Sequence, residues 1–326
     1  MLSRVADSIY WLSRYVERAE NMARIVDINL LLILENQLVG DEQWEPIARI
    51  TGDWDYFSHK YGKTTRENVV EFLTFDMDYP SSILNCIVKA RENARSIREI
   101  ISSEMWEQIN KYYLFLTDPA SKVDAINSPS EFYHQVKLNS HLFFGITDAV
   151  MSHNEGWHFH YLGQMIERAD KISRIIDVKY FHMMPHVKDI GTTYDDIQWT
   201  YLLRSASGFE MYRKVYQKML PEKIIEFLIL DANFPRSIVY CINKANGALH
   251  AISGSKEDSF QNKAEQILGT LRSELVYTDV NQIISLGLHQ FTDSFQDKLN
   301  ILGDSIYETF FAITNTNNQT FKEHAE

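Results

Sequence analysis

IYWLSRYVERAENMARIVDI at residues 9–28 returns as FHYLGQMIERADKISRIIDV at residues 159–178. At a constant offset of 150 residues, Leu12, Glu17, Arg18, Ala19, Arg24, Ile25 and Asp27 recur as Leu162, Glu167, Arg168, Ala169, Arg174, Ile175 and Asp177. Glu20 is answered by Asp170. Apolar residues fall at Ile9, Leu12, Val16, Ala19, Ala23, Val26 and Leu30, steps of three and four that trace one face of a helix. The second stretch repeats that face with Phe159, Leu162, Ile166, Ala169, Ile176 and Tyr180, and Ser173 is its one lapse. Exposed charges tolerate substitution best, so charges matched in both copies predict a role.

A second matched pair extends the repeat. EFLTFDMDYPSSILNCIVKA at 71–90 and EFLILDANFPRSIVYCINKA at 226–245 share eleven of twenty positions at an offset of 155. The shared residues include Asp76/Asp231, Pro80/Pro235, Ser82/Ser237 and Cys86/Cys241. The Asp-x-x-x-Pro-x-Ser pattern predicts a helix end, a proline-fixed turn and a new helix start. Copies this long point to duplication of a whole unit rather than a short solenoid repeat. The expected organisation is a first helical repeat at 1–150, a second at 151–314 packed on it as one compact unit, and a polar tail at 315–326.

Further long helices are predicted at Ser81–Ser102, Glu131–Met151, Asp195–Tyr216 and Gln282–Thr314, with breakers at Thr117–Ser130 and Met184–Thr193. No sustained period-two run reads as a strand. The fold class is therefore all-α: a bundle-like domain of two tandem, pseudo-symmetric helical repeats.

Composition narrows the function. The chain has 326 residues, 45% hydrophobic and 23% charged, which is ordinary globular usage. A net charge of −12 argues against nucleic acid, because phosphate neutralisation needs a basic stripe. The longest apolar run, Leu30–Leu34, is too short to span a bilayer, and MLSRVADSIY lacks a signal peptide's apolar core. One cysteine per copy reads as matched core packing in a reducing, cytoplasmic setting.

Glu17, Glu20, Arg24 and Asp27 lie within about 80° of one another on the helix wheel, beside the apolar face. Glu167, Asp170, Arg174 and Asp177 trace an equal stripe. Arg18 and Arg168 point off it, toward a neighbouring helix or solvent. Two readings follow. The charges are solvated pairs worth a few tenths of a kcal/mol each. Alternatively they form a polar seam enclosed between packed helices, in which the two stripes line one cleft.

Other chemistry is sparse. Glu155-x-x-His158, near His153 and His160, has the spacing of a di-iron ligand pair, but the first copy has no such pair, so no metal is expected. No phosphate loop, dinucleotide fingerprint or nucleophile elbow occurs, and no cofactor is expected. Arg91 to Glu107 reads as the solvent side of a long helix. Trp44, Trp54, Trp106, Trp157 and Trp199 read as core and interface anchors.

MLSRVADSIYWLSRYVERAENMARIVD at the start, ARENARSIREIISSEMWEQIN at 90–110, YLGQMIERADKISRIIDVKY at 161–180 and QWTYLLRSASGFEMYRKVY at 198–216 together resemble the bacterial alpha-E domain family. Its Glu-Arg motif corresponds to Glu17-Arg18 and Glu167-Arg168. The resemblance implies an all-helical protein of uncharacterised function, commonly encoded beside a circularly permuted ATP-grasp ligase and a transglutaminase-like protease. It also implies a setting in the synthesis and processing of peptides or amide-linked tags. The expected function is a non-catalytic partner or substrate-presenting subunit of such a ligase system, working through the Glu/Arg seam. Two readings stand beside it: an enzyme using Glu17 or Glu167 as acid/base, and a purely structural helical adaptor.

Overall fold

The three-and-four spacing that opens the chain is one continuous helix, α1 (Ser3–Glu35). Its seven apolar positions from Ile9 to Leu30 are all buried. Removing a side chain the size of Leu12 from water contributes about 1.5–3 kcal/mol, so this face alone commits α1 to the centre of the molecule. Phe159, Leu162, Ile166, Ala169 and Ile176 are likewise buried along the second long helix, Glu155–His182. Ser173, the lapse in that face, is also buried and donates its hydroxyl to the Asp170 carbonyl at 2.7 Å, so the helix backbone itself satisfies it.

The computed structural model describes residues 1–35, 44–49, 53–182 and 193–312, and among these residues the protein is all-α with no strand. After α1 come α2 (Glu45–Arg49), α3 (Trp54–Tyr61), α4 (Arg66–Val70), α5 (Ile83–Ser96), α6 (Ser103–Thr117), α7 (Pro119–Asn127) and α8 (Pro129–Val150). The second long helix is α9, followed by α10 (Thr193–Ser205), α11 (Phe209–Val215), α12 (Pro221–Ile229) and α13 (Ile238–Ser253). The last are α14 (Lys263–Tyr277), α15 (Val280–Leu286) and α16 (Leu288–Ile306). Single π-helical turns follow α4 at Glu71–Phe75 and α16 at Tyr307–Phe311. No helix among the described residues is long and apolar enough to cross a membrane. Positions 184–192 of the breaker stretch and the tail at 315–326 lie outside the described residues.

Contacts climb α1 and α9 together. The Met1 amino group meets Glu155 at 2.8 Å, Ser13 Oγ donates to the His160 carbonyl at 2.5 Å, and Arg18 meets Glu167 at 2.6 Å. The two helices therefore run parallel. They come close because Gly163 offers no side chain: a Cβ there would sit 2.5 Å from the Tyr10 carbonyl oxygen. Around this pair, α5 and α8 pack on α1, with α6 against both, while α13 and α16 pack on α9, with α14 against both.

The proline pattern does what its spacing predicts. Ser82 caps α5, accepting from the Asn85 N–H at 3.1 Å and donating to the Asp76 carbonyl at 2.6 Å. Ser237 caps α13 through the Tyr240 N–H and the Asp231 carbonyl. Cys86 and Cys241 are free and buried, one turn into those helices, and burial pushes their thiols up to about 11 and about 12. Trp44 and Trp199 are buried, and Trp54 and Trp106 pack partly buried against the core.

Three helix expectations and one breaker need correction. Ser81–Ser102 ends at Ser96, and a turn separates it from α6, so Arg91 to Glu107 is not one helix. Thr117–Ser130 is not a breaker segment but contains α7, because Pro119 and Pro129 each occupy the first turn of a helix, where the missing N–H costs nothing. Asp195–Tyr216 is interrupted at Ser207, whose φ is +51°. Gln282–Thr314 is split at Gly287, whose φ of +99° ends α15. Glu131–Met151 corresponds to α8.

The His-rich approach to α9 makes contacts within the chain. Glu155 is taken by the N-terminus, and His153 stacks on Trp157 with ring centres 4.1 Å apart. His160 is buried between Phe143 and Phe144, and its Nδ1 has no hydrogen-bond partner. Burial pushes its imidazole down from 6.5 to about 3. Between those values the unfolded chain binds a proton that the folded chain refuses, so stability contributed above pH 6.5 is lost as pH falls toward 3. His160→Leu is expected to flatten this slope by about 1.4 kcal/mol per pH unit, read by urea unfolding from pH 7 to pH 4. An unchanged slope would refute the assignment.

Candidate functional site

Where α1 and α9 run side by side, each Glu-Arg dipeptide pairs with the other. Arg168 grips Glu17 through Nε and Nη2, both at 2.8 Å. Arg18 grips Glu167 through Nε at 2.6 Å and Nη2 at 3.0 Å. Both are fork-to-fork contacts, the strong, orientation-fixing kind. Glu17 and Glu167 have no solvent exposure at all. The helical period explains the geometry: adjacent residues diverge by 100°, so the Glu that lies beside the apolar face and the Arg that flanks it both reach the partner helix. Arg18 and Arg168 therefore point at the neighbouring helix rather than at water.

Around this exchange the two halves differ. Glu167 also accepts from Arg14 at 2.8 Å and lies 3.5 Å from Lys171. Glu17 accepts instead from Asn21 at 2.9 Å, from Gln164 at 3.4 Å and from Arg236 at 3.4 Å. Arg14 and Gln164 hold matching places in the two helices, as do Asn21 and Lys171, so equal geometry is met with unequal charge.

Glu20, fully buried, gathers its partners on one oxygen. Its Oε1 accepts from Arg24 Nε at 2.9 Å and from Arg236 Nη2, and it lies 3.0 Å from His141 Nε2. Its Oε2 is buried without a partner. Arg24 continues to the Ser207 hydroxyl at the α10–α11 break. Asp27 takes Lys137 of α8 at 2.6 Å, while Asp177 accepts from Thr292 of α16 at 3.0 Å and lies 2.8 Å from His289 Nδ1. Asp170 pairs with Lys171 at 2.8 Å and Arg174 at 3.1 Å.

The two stripes are not equal, contrary to the sequence expectation. Glu17, Glu20, Arg24 and Asp27 are all buried, whereas the Asp170, Arg174 and Asp177 side chains keep 13%, 28% and 25% of their exposure. The solvated reading fails for the first stripe and for Glu167. The partners come from α8, from α16 and from Arg236 in the turn before α13, as well as from the two long helices.

The electrostatics run one way. Burial raises the Glu167 carboxyl, but Arg18, Lys171 and Arg14 overcome it and hold the group well below 4.5. Burial likewise acts on Glu20, and Arg236, Arg24 and His141 reverse it. Asp170 is carried down to about 2 by Lys171 and Arg174 against its own burial. Burial pushes Arg236 down to about 10, helped by Arg24 and Arg168, while Glu20 opposes. These carboxylates are locked in the charged form.

Repetition does not mark Arg14, Lys137, His141, Gln164, Lys171 and Arg236. Arg236 stands opposite Ser81 and Arg14 opposite Gln164 in the matched stretches. A residue present in only one copy is invisible to that filter. Among the described residues no three His, Cys, Asp or Glu side chains are grouped to hold a metal.

A family profile described as a predicted alpha-helical domain with a conserved ER motif matches residues 1–311. An uncharacterized protein of Mycobacterium bovis and one of Mycobacterium tuberculosis are each 24% identical over 277 residues, covering 78% of this chain and 30% of their own length. The chain thus spans less than a third of the curated relatives it matches. No solved structure matches. The two Glu-Arg dipeptides that cross-pair α1 and α9 fit that description, and with the profile matching residues 1–311 the chain belongs to the alpha-E family.

Proposed function

We propose that this chain is a non-catalytic helical partner, presenting substrate in the cytoplasm to an ATP-grasp amide ligase that works alongside a transglutaminase-like protease. We propose further that its halves, 1–150 and 151–314, descend from one duplicated unit. The observation that carries the reading is the state of the Glu-Arg pairs. A general acid or base needs a pKa near its working pH. Glu20 and Glu167 are displaced the opposite way, and both oxygens of Glu17 are taken by the Arg168 fork. Groups so spent hold helices in register, which is the best-attested use of buried ion pairs. The repeated order of helices around α1 and α9 supports the duplication. That the relatives carry the matching stretch within a chain more than three times its length supports a unit that works beside others.

The test is purification of the tagged full chain from native cells, with the co-eluting proteins identified. An ATP-grasp ligase is expected to co-elute, and its ATP-dependent amide formation is expected to rise when the purified chain is added back. A chain that elutes without a ligase overturns the partner reading. Amide chemistry by the isolated chain, abolished in a folded Glu17→Gln variant, would favour the enzyme reading instead.

A further inference from the structure

Charge is unevenly spread along the α1–α9 seam. On the Glu17 side, Glu17 and Glu20 face Arg168, Arg236 and Arg24, and the last two are over nine-tenths buried. On the other side, Glu167 and Asp170 face four cations: Arg14, Arg18, Lys171 and Arg174. That network carries an excess of two positive charges in a protein of net charge −12. A further ammonium stands beside it. Lys89 lies 5.7 Å from the Tyr15 ring centre, which Arg18 also approaches at 5.7 Å. Arg18 links the two groups, since it shares the Tyr15 ring with Lys89 and the Glu167 Oε1 atom with Lys171. The nearest acid along the Lys89 helix, Glu92, is taken by Arg91 and Arg95.

Several donors in this cluster are unspent among the described residues. There Arg14 uses Nε and Nη1, Arg18 uses Nε and Nη2, and Arg174 uses Nε. None of their remaining N–H groups is among the buried unpartnered atoms, so solvent reaches them. Like charges held together in a largely buried site repel strongly, and guanidinium forks match planar or tetrahedral oxyanions.

We propose that Arg14, Arg18, Lys171, Arg174 and Lys89, beside Tyr15, form a receptor for a ligand group carrying two negative charges on oxygen, a phosphate or a pair of carboxylates. Arg18 and Lys171 serve both the helix lock and the ligand, while Arg174 and Lys89 serve chiefly the ligand. The Glu17 side lacks this combination because its excess is smaller and its cations are enclosed. The site goes beyond the partner reading and stands without it.

Titration calorimetry on the full chain tests it, with inorganic phosphate in one arm and a glutamyl-glutamate dipeptide in the other. At least one probe is expected to bind in low salt with one site per chain. Lys89→Ala and Arg174→Gln, neither of which breaks the Glu-Arg exchange, are expected to weaken binding at least tenfold, Lys89→Ala at unchanged melting temperature. Lys111→Ala, an exposed site on α6, is expected to leave it unchanged. The arm that binds identifies the source of the anion. Binding of neither probe, or equal binding by wild type, Lys89→Ala and Arg174→Gln, overturns the proposal.

Discussion

Glu167→Ala is expected to lower the free energy of unfolding by about 3–5 kcal/mol, the usual result of removing one partner from a buried ion pair. The loss is large because the remaining groups do not simply relax. Arg14, Arg18 and Lys171 are left without the carboxylate that two of them grip directly, in a site where their side chains keep only 12% to 15% of their exposure. With Arg174, four cations would then share Asp170 alone. Glu17→Ala acts in the same direction on Arg168. Adding Arg18→Met to Glu167→Ala is expected to recover part of the loss, because the orphaned charge is then gone. Urea unfolding of the four proteins measures this cycle. A change below 1 kcal/mol for Glu167→Ala would mean that the exchange does not hold the helices together.

Gly163→Ala carries the second largest effect. One added methyl would meet the Tyr10 carbonyl oxygen at 2.5 Å and Ser13 Oγ at 2.9 Å. The first of these is backbone, which cannot swing aside, so α9 must move off α1. Overpacking of this kind costs about 1–3 kcal/mol, and here the shift also stretches the Arg18–Glu167 and Arg168–Glu17 contacts one turn further along. Gly145→Ala on α8 is the natural comparison. Nothing lies within 4 Å of its missing Cβ, so that change is expected to stabilise the protein by about 0.5–1 kcal/mol through helix propensity. Opposite signs in thermal unfolding support close approach of the two helices. Equal signs would refute it.

How much was readable beforehand follows from what periodicity records. The apolar steps of α1 and α9 are long, regular and buried on both sides, so a pattern of threes and fours was enough. The capping serines at 82 and 237 were readable because proline and serine act locally. Helix breaks were harder. Ser207 takes a positive φ that a serine rarely adopts, Gly287 ends α15 in the middle of an apolar pattern that continues past it, and Pro119 and Pro129 look like stops when they are starts. The seam was half legible. Its own residues were visible through repetition, but Arg14, Lys137, His141 and Arg236 reach it from single-copy positions or from helices far along the chain.

Parallel neighbours cannot be joined by a short hairpin. The ion pairs linking α1 to α9 span 149 to 153 positions of chain, and everything between must be made before either Glu-Arg dipeptide meets its mate. During synthesis the nascent opening helix therefore waits, with bare ionic groups and an unroofed greasy flank, until the ribosome has delivered its twin. Closure over so long a span makes assembly slow compared with a bundle of local hairpins. That interval is when the newborn polypeptide is most open to chaperones and to clumping.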